Sequence, residues 1–204
     1  MTLPAFSILV FALHSITMAQ IQTPNIEAQR TAMKKLSFLI GEWSGEASLT
    51  RGPGIVVELS QTEVAEFKLD GLVLMVEGIG RTKSDGRVAL QALGLITFDD
   101  ATGTYRGRGY NDGRWLEGEV KLRDDGKMCW GFALGEISTK SVMRINEKGE
   151  WTELTELTIG SATPSKLMEL VVRTHQCEGA PVQVFRGHAR AGAYHNERST
   201  ACLR

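Results

Sequence analysis

Hydrophobic and polar residues alternate along much of the chain between residues 41 and 175, and short turn sequences interrupt this alternation at a nearly regular interval. The apolar Trp130, Phe132 and Leu134, for example, alternate with smaller residues, which is typical of a β-strand. The turns are rich in Asp, Asn and Gly, which accept the positive φ angles that hairpins need. They fall at residues 52–54, 70–71, 85–86, 99–103, 111–113, 124–126, 135, 147–149 and 160–164.

This pattern predicts an all-β fold, a single meander of roughly ten antiparallel strands joined by hairpins. A flat sheet of that size would expose two edges, and closure into a barrel removes them. We therefore expect a closed barrel, wide enough for its interior to hold a cavity. A sandwich of two sheets is the alternative architecture.

One short helix is predicted before the first strand, as a lid over one end of the barrel. Asn25 can cap its N-terminus, and Lys34 and Lys35 suit its C-terminal dipole. Gly41 is the expected left-handed stop. The apolar residues share one face at helical spacing, namely Met33, Leu36, Leu39 and Ile40.

The N-terminal residues 1–19 predict a cleaved signal peptide. Residues 6–13 form an apolar run, and the small Thr17 and Ala19 suit a cleavage site before Gln20. The mature protein would then be exported, to the periplasm or the medium. An uncleaved membrane anchor and a buried first element are the alternatives, although the run is short for a stable membrane span.

The C-terminal residues 178–204 predict a loosely ordered basic tail, which leaves residues 20–177 as the barrel domain. The tail has four arginines, two glutamates and few aliphatic residues, so it buries too little apolar surface to fold. In an oxidising compartment, Cys177 and Cys202 would form a disulfide that ties the tail down. Cys129, within a strand-like run, is expected to be a buried free thiol.

Composition narrows the possible partners. The chain has 204 residues, of which 42% are hydrophobic, and its 23 basic residues balance 24 acidic ones. Such a balance produces no overall field that would attract nucleic acid or an anionic membrane. We therefore expect a soluble domain with no nucleic-acid partner and no stable membrane insertion.

The residues around the predicted first strand carry a family resemblance. Residues 36–46 read LSFLIGEWSGE, in which a helical segment runs into Gly-x-Trp. The turn sequences at 69–71 and 98–105 (FDDATGTY), and a last strand ending in ELVVR at 169–173, accompany it. Together, over about residues 30–175, they resemble a lipocalin-like (calycin) barrel family of largely uncharacterised, often exported bacterial proteins. Nitrobindin and the fatty-acid-binding proteins are neighbours of that family.

The resemblance implies a plug at the closed end of the barrel. Gly41 would let the chain turn into the strand, and Trp43 would bury its indole in the barrel end. In lipocalins an arginine of the last strand lies across this tryptophan as a cation–π contact. Arg173 is placed to do so here.

No cofactor is expected. Nitrobindin-like barrels hold haem through a histidine of the final strand, but Lys166 stands at the matching position in this chain. His175 would be the first haem ligand to test. No zinc motif is present, and the His175-x-Cys177 pair is followed only by the unstructured tail, so no metal is expected.

Catalytic motifs are also missing. There is no Gly-x-Ser-x-Gly elbow, His-Glu-x-x-His pair or phosphate-binding glycine loop. Glu153 and Glu156 fall on opposite faces of one strand, so they cannot work as a pair, and we expect both to be solvated. Binding without catalysis is therefore the preferred function.

We expect the barrel to bind a small apolar or amphipathic molecule. Arg106 or Arg108, if it points inward, would bind a carboxylate of the ligand. One alternative is an isomerase or hydrolase with a polar cluster in the lumen, and another is an interaction module that binds through its tail. The expected ligand-binding residues are Phe67, Leu74, Tyr105, Arg106, Arg108, Trp115, Trp130, Phe132, Met143 and Trp151.

Overall fold

The computed structural model describes residues 23–111 and 113–174. The predictions for residues 1–19, His175, Cys177, Cys202 and the tail lie outside these residues. The helical elements are α1 (Ile26–Lys34) and a single 3₁₀ turn (Ser37–Leu39). The strands are β1 (Gly41–Gly52), β2 (Ile55–Lys68), β3 (Val73–Thr82), β4 (Val88–Asp99), β5 (Thr104–Asn111), β6 (Arg114–Leu122), β7 (Met128–Trp130), β8 (Ala133–Leu134), β9 (Ile137–Ile145), β10 (Trp151–Ile159) and β11 (Ser165–Thr174).

Ten of these strands close into an antiparallel barrel, which confirms the predicted fold class. Each strand pairs with its neighbour in the chain from β1 to β7, β7 then pairs with β9, and β11 returns to pair with β1. The short β8 pairs only with β9 and stands outside the ring. Every ring strand therefore has a neighbour on each side, although β6 pairs with β7 only over Val120–Leu122.

The helix α1 lies across one end of the barrel, which we call the floor. Asn25 caps it, because its side chain accepts a hydrogen bond from the Ala28 amide at 3.0 Å. The Asp100 carboxylate, in the β4–β5 turn, accepts from the Asn25 amide at 2.7 Å and from the Gln29 side chain at 2.6 Å. Tyr105 donates its hydroxyl hydrogen to the Ala32 carbonyl at 2.7 Å.

Below the helix, a hydrophobic core fills the floor of the barrel. Met33, Leu36 and Leu39 are fully buried in it. The Trp43 indole is also buried, meets Trp151 edge to face with ring centroids 5.7 Å apart, and donates its Nε1 hydrogen to the Leu39 carbonyl at 2.8 Å. The packing of its rings and the hydrogen bond of its N–H group together hold the first strand to the 3₁₀ turn.

Two details of the predicted lid are wrong. The α-helix ends at Lys34 and gives way to the 3₁₀ turn, so Gly41 is not its stop. Gly41 instead enters β1 with φ at +138°, a conformation that favours glycine. Ile40 is 38% exposed and does not belong to the buried stripe, because the change to 3₁₀ winding alters the direction of its side chain.

The predicted stacking of Arg173 on Trp43 is also wrong. In the β1–β11 ladder Arg173 is opposite Ser44, whereas Trp43 is opposite Thr174. Successive side chains of a strand point to opposite faces, so Arg173 faces outward while Trp43 faces inward. On that outer side the exposed guanidinium forms an ion pair with Glu150, whose own side chain is buried.

The strand expected through residues 129–134 is interrupted. Strand β7 ends at Trp130, and β8 begins at Ala133, where the chain leaves the ring as a small hairpin. Gly131 lies between them against the neighbouring backbone, since a Cβ at that position would be 2.2 Å from the Thr139 carbonyl oxygen. Over the described residues, no helix has the length and apolar character needed to span a membrane.

Candidate functional site

Inward-facing glycines leave a cavity inside the barrel, between the floor and the opposite end, which we call the mouth. Gly94 of β4 is opposite Gly109 of β5, and Gly107 is opposite Gly118 of β6. Because these positions carry no side chains, the wall is thin here. The cavity has a volume of about 350 Å³, within the range of small-molecule sites.

Most of the cavity surface is apolar. Leu39 borders it at the floor, so the same residue belongs to the floor core and to the cavity wall. Aromatic and aliphatic side chains cover the walls, among them Trp130, Phe132, Trp151, Val76, Leu90 and Met168. Such a surface suits hydrocarbon or a ring system better than a strongly hydrated molecule.

Glu63 is a carboxyl group in the wall of this cavity, and it is only 8% exposed. On β2 it shares the inner face with Leu59, Gln61 and Ala65. Gln61 donates an Nε2 hydrogen to Glu63 Oε1 at 2.8 Å. The carboxyl group lies against Gly78 of β3, where a Cβ would be 2.6 Å from its Oε2. The glycine therefore provides the space that the carboxyl group occupies.

Glu153 is a second carboxyl group of the cavity wall, and it is 6% exposed. On β10 it shares the inner face with Trp151 and Thr155. Trp151 donates its Nε1 hydrogen to Glu153 Oε2 at 3.3 Å. Next to it, the hydroxyl groups of Thr155 and Ser141 are hydrogen bonded to each other at 2.7 Å.

Burial changes the acidity of both groups. It raises the pKa of Glu63 from an ordinary 4.5 to about 8, against the effect of the Gln61 hydrogen bond and with a further contribution from the charge on Glu153. Burial also raises the pKa of Glu153 to about 7, although hydrogen bonding, first of all by Trp151, opposes the rise. Both pKa values therefore lie near neutral pH, and the charge on Glu153 raises that of Glu63.

The residues predicted to line the site fall into three groups. Trp130, Phe132 and Trp151 do line the cavity. A second group packs in the hydrophobic core without lining the cavity, and it comprises Phe67, Leu74, Tyr105 and Met143.

The third group, Arg106, Arg108 and Trp115, has its side chains on the outer face, although Arg108 also borders the cavity. Arg106 pairs with Asp99 at 3.6 Å and Arg108 with Glu117 at 3.2 Å, and both side chains are more than half exposed. Trp115 is 49% exposed and packs on Tyr110. The expectation that one of these arginines points inward to anchor a carboxylate is wrong. The glycines that alternate with them occupy the inner face instead.

Gln61, Glu63 and Glu153 were not expected in the site, and Glu153 was expected to be solvated. That expectation is wrong, because Glu153 is two residues after Trp151 on β10 and therefore points into the barrel as Trp151 does. Glu63 could have been predicted from the alternation along β2. Gln61 and Glu63 lie on the same strand face as the apolar Leu59, Ala65 and Phe67.

Within residues 23–111 and 113–174, no three His, Cys, Asp or Glu side chains are grouped so that they could hold a metal ion. Cys129 is a free thiol and is half-buried. It alternates with the inward-facing Met128 and Trp130, so it lies on the outer side of β7.

Comparisons with known proteins agree with the fold. No protein-family model and no curated protein sequence matches the chain. The crystal structure of Rv2717c from M. tuberculosis superposes with a TM-score of 0.55 at 15% identity, over 71% of this chain and 98% of that one. The S-type phycobiliprotein lyase CPES from Guillardia theta superposes with a TM-score of 0.50 at 8% identity, over 69% of this chain and 89% of that one. At such low identities these likenesses show the fold alone, a lipocalin-like β-barrel.

Proposed function

We propose that this protein binds a small amphipathic molecule in the lumen of its barrel. The observation that carries this proposal is the cavity of about 350 Å³, which is mostly apolar yet contains two buried carboxyl groups. An apolar surface with a few fixed polar groups is the usual composition of a small-molecule site. The fold is also compatible with such a role, since one similar structure is that of a phycobiliprotein lyase.

A cavity-filling substitution tests the site. Gly94 faces the cavity, and a Cβ added there would meet nothing closer than the Val76 carbonyl oxygen at 3.7 Å. Gly94→Leu should therefore project its side chain into the lumen and weaken the binding of a neutral amphiphile, decanol, by about tenfold or more. Binding is followed by calorimetry and by the fluorescence of Trp130 and Trp151.

The matched control is Gln91→Leu, which adds the same side chain on the exposed outer face of β4. It should leave decanol binding unchanged. If Gly94→Leu folds normally and binds decanol as the unsubstituted protein does, the lumen is not the binding site. If decanol does not bind to the unsubstituted protein either, the proposal fails.

Proton-transfer catalysis is a second candidate function, and the raised pKa values of Glu63 and Glu153 favour it. A carboxyl group that titrates near neutral pH can act as a general acid or base. The test is deuterium incorporation at the α-carbon of methyl hexyl ketone in heavy water. Catalysis should be lost in both Glu63→Gln and Glu153→Gln and kept in the exposed control Glu58→Gln. No incorporation above the solvent rate would argue against this function.

We also propose that binding takes place outside the cytoplasm, because residues 1–19 have the composition of an export signal. Expression of the full chain in a bacterium, followed by mass spectrometry of the exported fraction, tests this. A mature chain that starts at Gln20 is expected. An uncut chain retained in the cytoplasm would overturn the proposal.

A further inference from the structure

The unsatisfied polar atoms of the cavity are hydrogen-bond acceptors. Gln61 Oε1 and Glu153 Oε1 are buried and accept no hydrogen bond of ordinary length and angle within the described part of the chain. Donors do lie near Glu153, since Trp151, Trp130, Ser141 and Thr155 all lower its pKa. Gln61 is 1% exposed, and one of its two Nε2 hydrogens is donated to Glu63. Buried acceptors without partners are costly, so they favour a ligand that brings donors.

No buried cation balances the two carboxyl groups among the described lining residues. Arg51 of β1 is exposed, and it donates to the Ala89 carbonyl. Arg108 of β5 is paired with Glu117 on the outer face. Glu119, the remaining charged residue of the lining, lies on the outer face of β6 and forms an ion pair with Lys121 there. The lumen is therefore anionic or proton-bearing, depending on pH, and a carboxylate ligand would find no counter-ion beside Glu63 and Glu153.

We propose that the ligand is an amphipathic amine, whose protonated nitrogen is bound by Glu63 and Glu153 and whose hydrocarbon part lies against the aromatic wall. This rests on the proposed function and names the ligand class for the same site. An alkylammonium group carries three N–H donors and no acceptor, which complements the acceptor-rich end of the cavity. Charge-assisted hydrogen bonds to carboxylates are also stronger than neutral ones.

The acidity of the pair predicts how binding responds to pH. Burial raises the pKa of Glu63 to about 8 and that of Glu153 to about 7, so without a bound cation these carboxyl groups hold protons near neutral pH. A bound cation favours the ionised carboxylates and should displace these protons. Affinity for the amine should therefore rise between about pH 6 and pH 8, a range in which an alkylamine stays protonated.

Three probes with the same hydrocarbon chain test the assignment, namely decylammonium, decanol and decanoate. Calorimetry near neutral pH should show decylammonium binding about tenfold or more tightly than decanol, and decanoate the most weakly. Titrations in two buffers of different ionisation enthalpy should show that decylammonium releases protons. Decanol should release none.

Isosteric variants locate the interaction. Glu63→Gln and Glu153→Gln should each weaken decylammonium binding by about tenfold while decanol binding changes little. Glu58→Gln, on the exposed face of β2, should change neither affinity. If a cavity variant fails to fold, proton release when the unsubstituted protein binds decylammonium still tests the amine assignment.

The outcomes separate this inference from the proposed function. If decanol binds as tightly as decylammonium, if decanoate binds best, or if decylammonium binds without proton release, the amine assignment is overturned and the binding function stands. If none of the three probes binds, the proposed function fails and the inference fails with it.

Discussion

Glu63 contributes a pH-dependent term to the stability of the barrel. Its pKa is raised to about 8 in the folded protein, against an ordinary 4.5. Below about pH 4.5 the Glu63 carboxyl group is protonated in both the folded and the unfolded protein. Between about pH 4.5 and pH 8 it is protonated only in the folded protein. Stability should therefore fall as the pH rises from about 5 to 8, by a few kcal/mol in total. Urea unfolding at a series of pH values measures this loss.

Glu63→Gln should remove much of that loss, because an amide fills the same space without ionising. The variant should be more stable than the unsubstituted protein at about pH 8 and similar to it at about pH 5, where the carboxyl group is protonated in the folded state. Glu58→Gln, exposed on the same strand, is the control and should not change the slope. An unchanged slope in Glu63→Gln would show that Glu63 does not hold its proton in the folded protein.

Individual site residues were harder to predict than the fold. Glutamates are seldom buried without a partner, so solvation was the reasonable expectation for Glu153. Trp130, Phe132 and Trp151 line the lumen, but Trp115 packs on Tyr110 on the outer face, so aromatic character alone did not decide which face a residue occupies. Arg106 and Arg108 could not be placed, since glycines alternate with them and a glycine does not indicate which strand face is buried.

At the level of elements, the lid helix depends on polar contacts with two turns. Asp100 accepts hydrogen bonds from the Asn25 amide and the Gln29 side chain, and Arg30 forms an ion pair with Asp70 at 2.5 Å in the β2–β3 turn. The hydrogen bond from the Asn25 amide is the first cause of the lowered pKa of Asp100. A carboxylate at this point also complements the positive end of the helix dipole.

Asp100→Ala should loosen the lid. The Asn25 amide and the Gln29 side chain lose their acceptor, and the helix loses the negative charge at its N-terminus. Amide hydrogen exchange in α1 should accelerate, while exchange in β1 and β2 should stay the same. Asp85→Ala, in the β3–β4 turn at the mouth of the barrel, is the control and should leave α1 unaffected. Unchanged exchange in α1 would show that the helix is held by its apolar face alone.

Local sequence patterns predicted the helices, strands and turns well. They did not predict the features that depend on how neighbouring strands pair. The Asn25 cap and the Asp-Gly turns are properties of a few neighbouring residues, so the chain alone reveals them. The position of Arg173 instead depends on which residue of β1 lies opposite, and a shift by one residue reverses the face of every side chain. The break after Trp130 likewise depends on the close approach of Gly131 to β9.

Across the whole molecule, the barrel separates a solid end from a hollow end. Side chains of the helix, the 3₁₀ turn and the strand ends fill the floor. Above them, glycines of β4, β5 and β6 leave the space for the cavity. Because the hollow end has space that no side chain fills, substitutions such as Gly94→Leu should affect binding more than folding.

The weakest joint of the barrel should lie at β7. This strand pairs with β6 only over Met128–Trp130, whereas β1 and β2 pair along nearly their whole length. Fewer ladder hydrogen bonds make local opening easier, so amides of residues 128–139 should exchange faster than those of β1 to β3. Because Met128, Trp130 and Phe132 line the cavity, decylammonium should slow exchange there and leave the floor unchanged. Mass spectrometry of exchanged peptides measures both effects, and uniform protection around the ring would contradict the expectation.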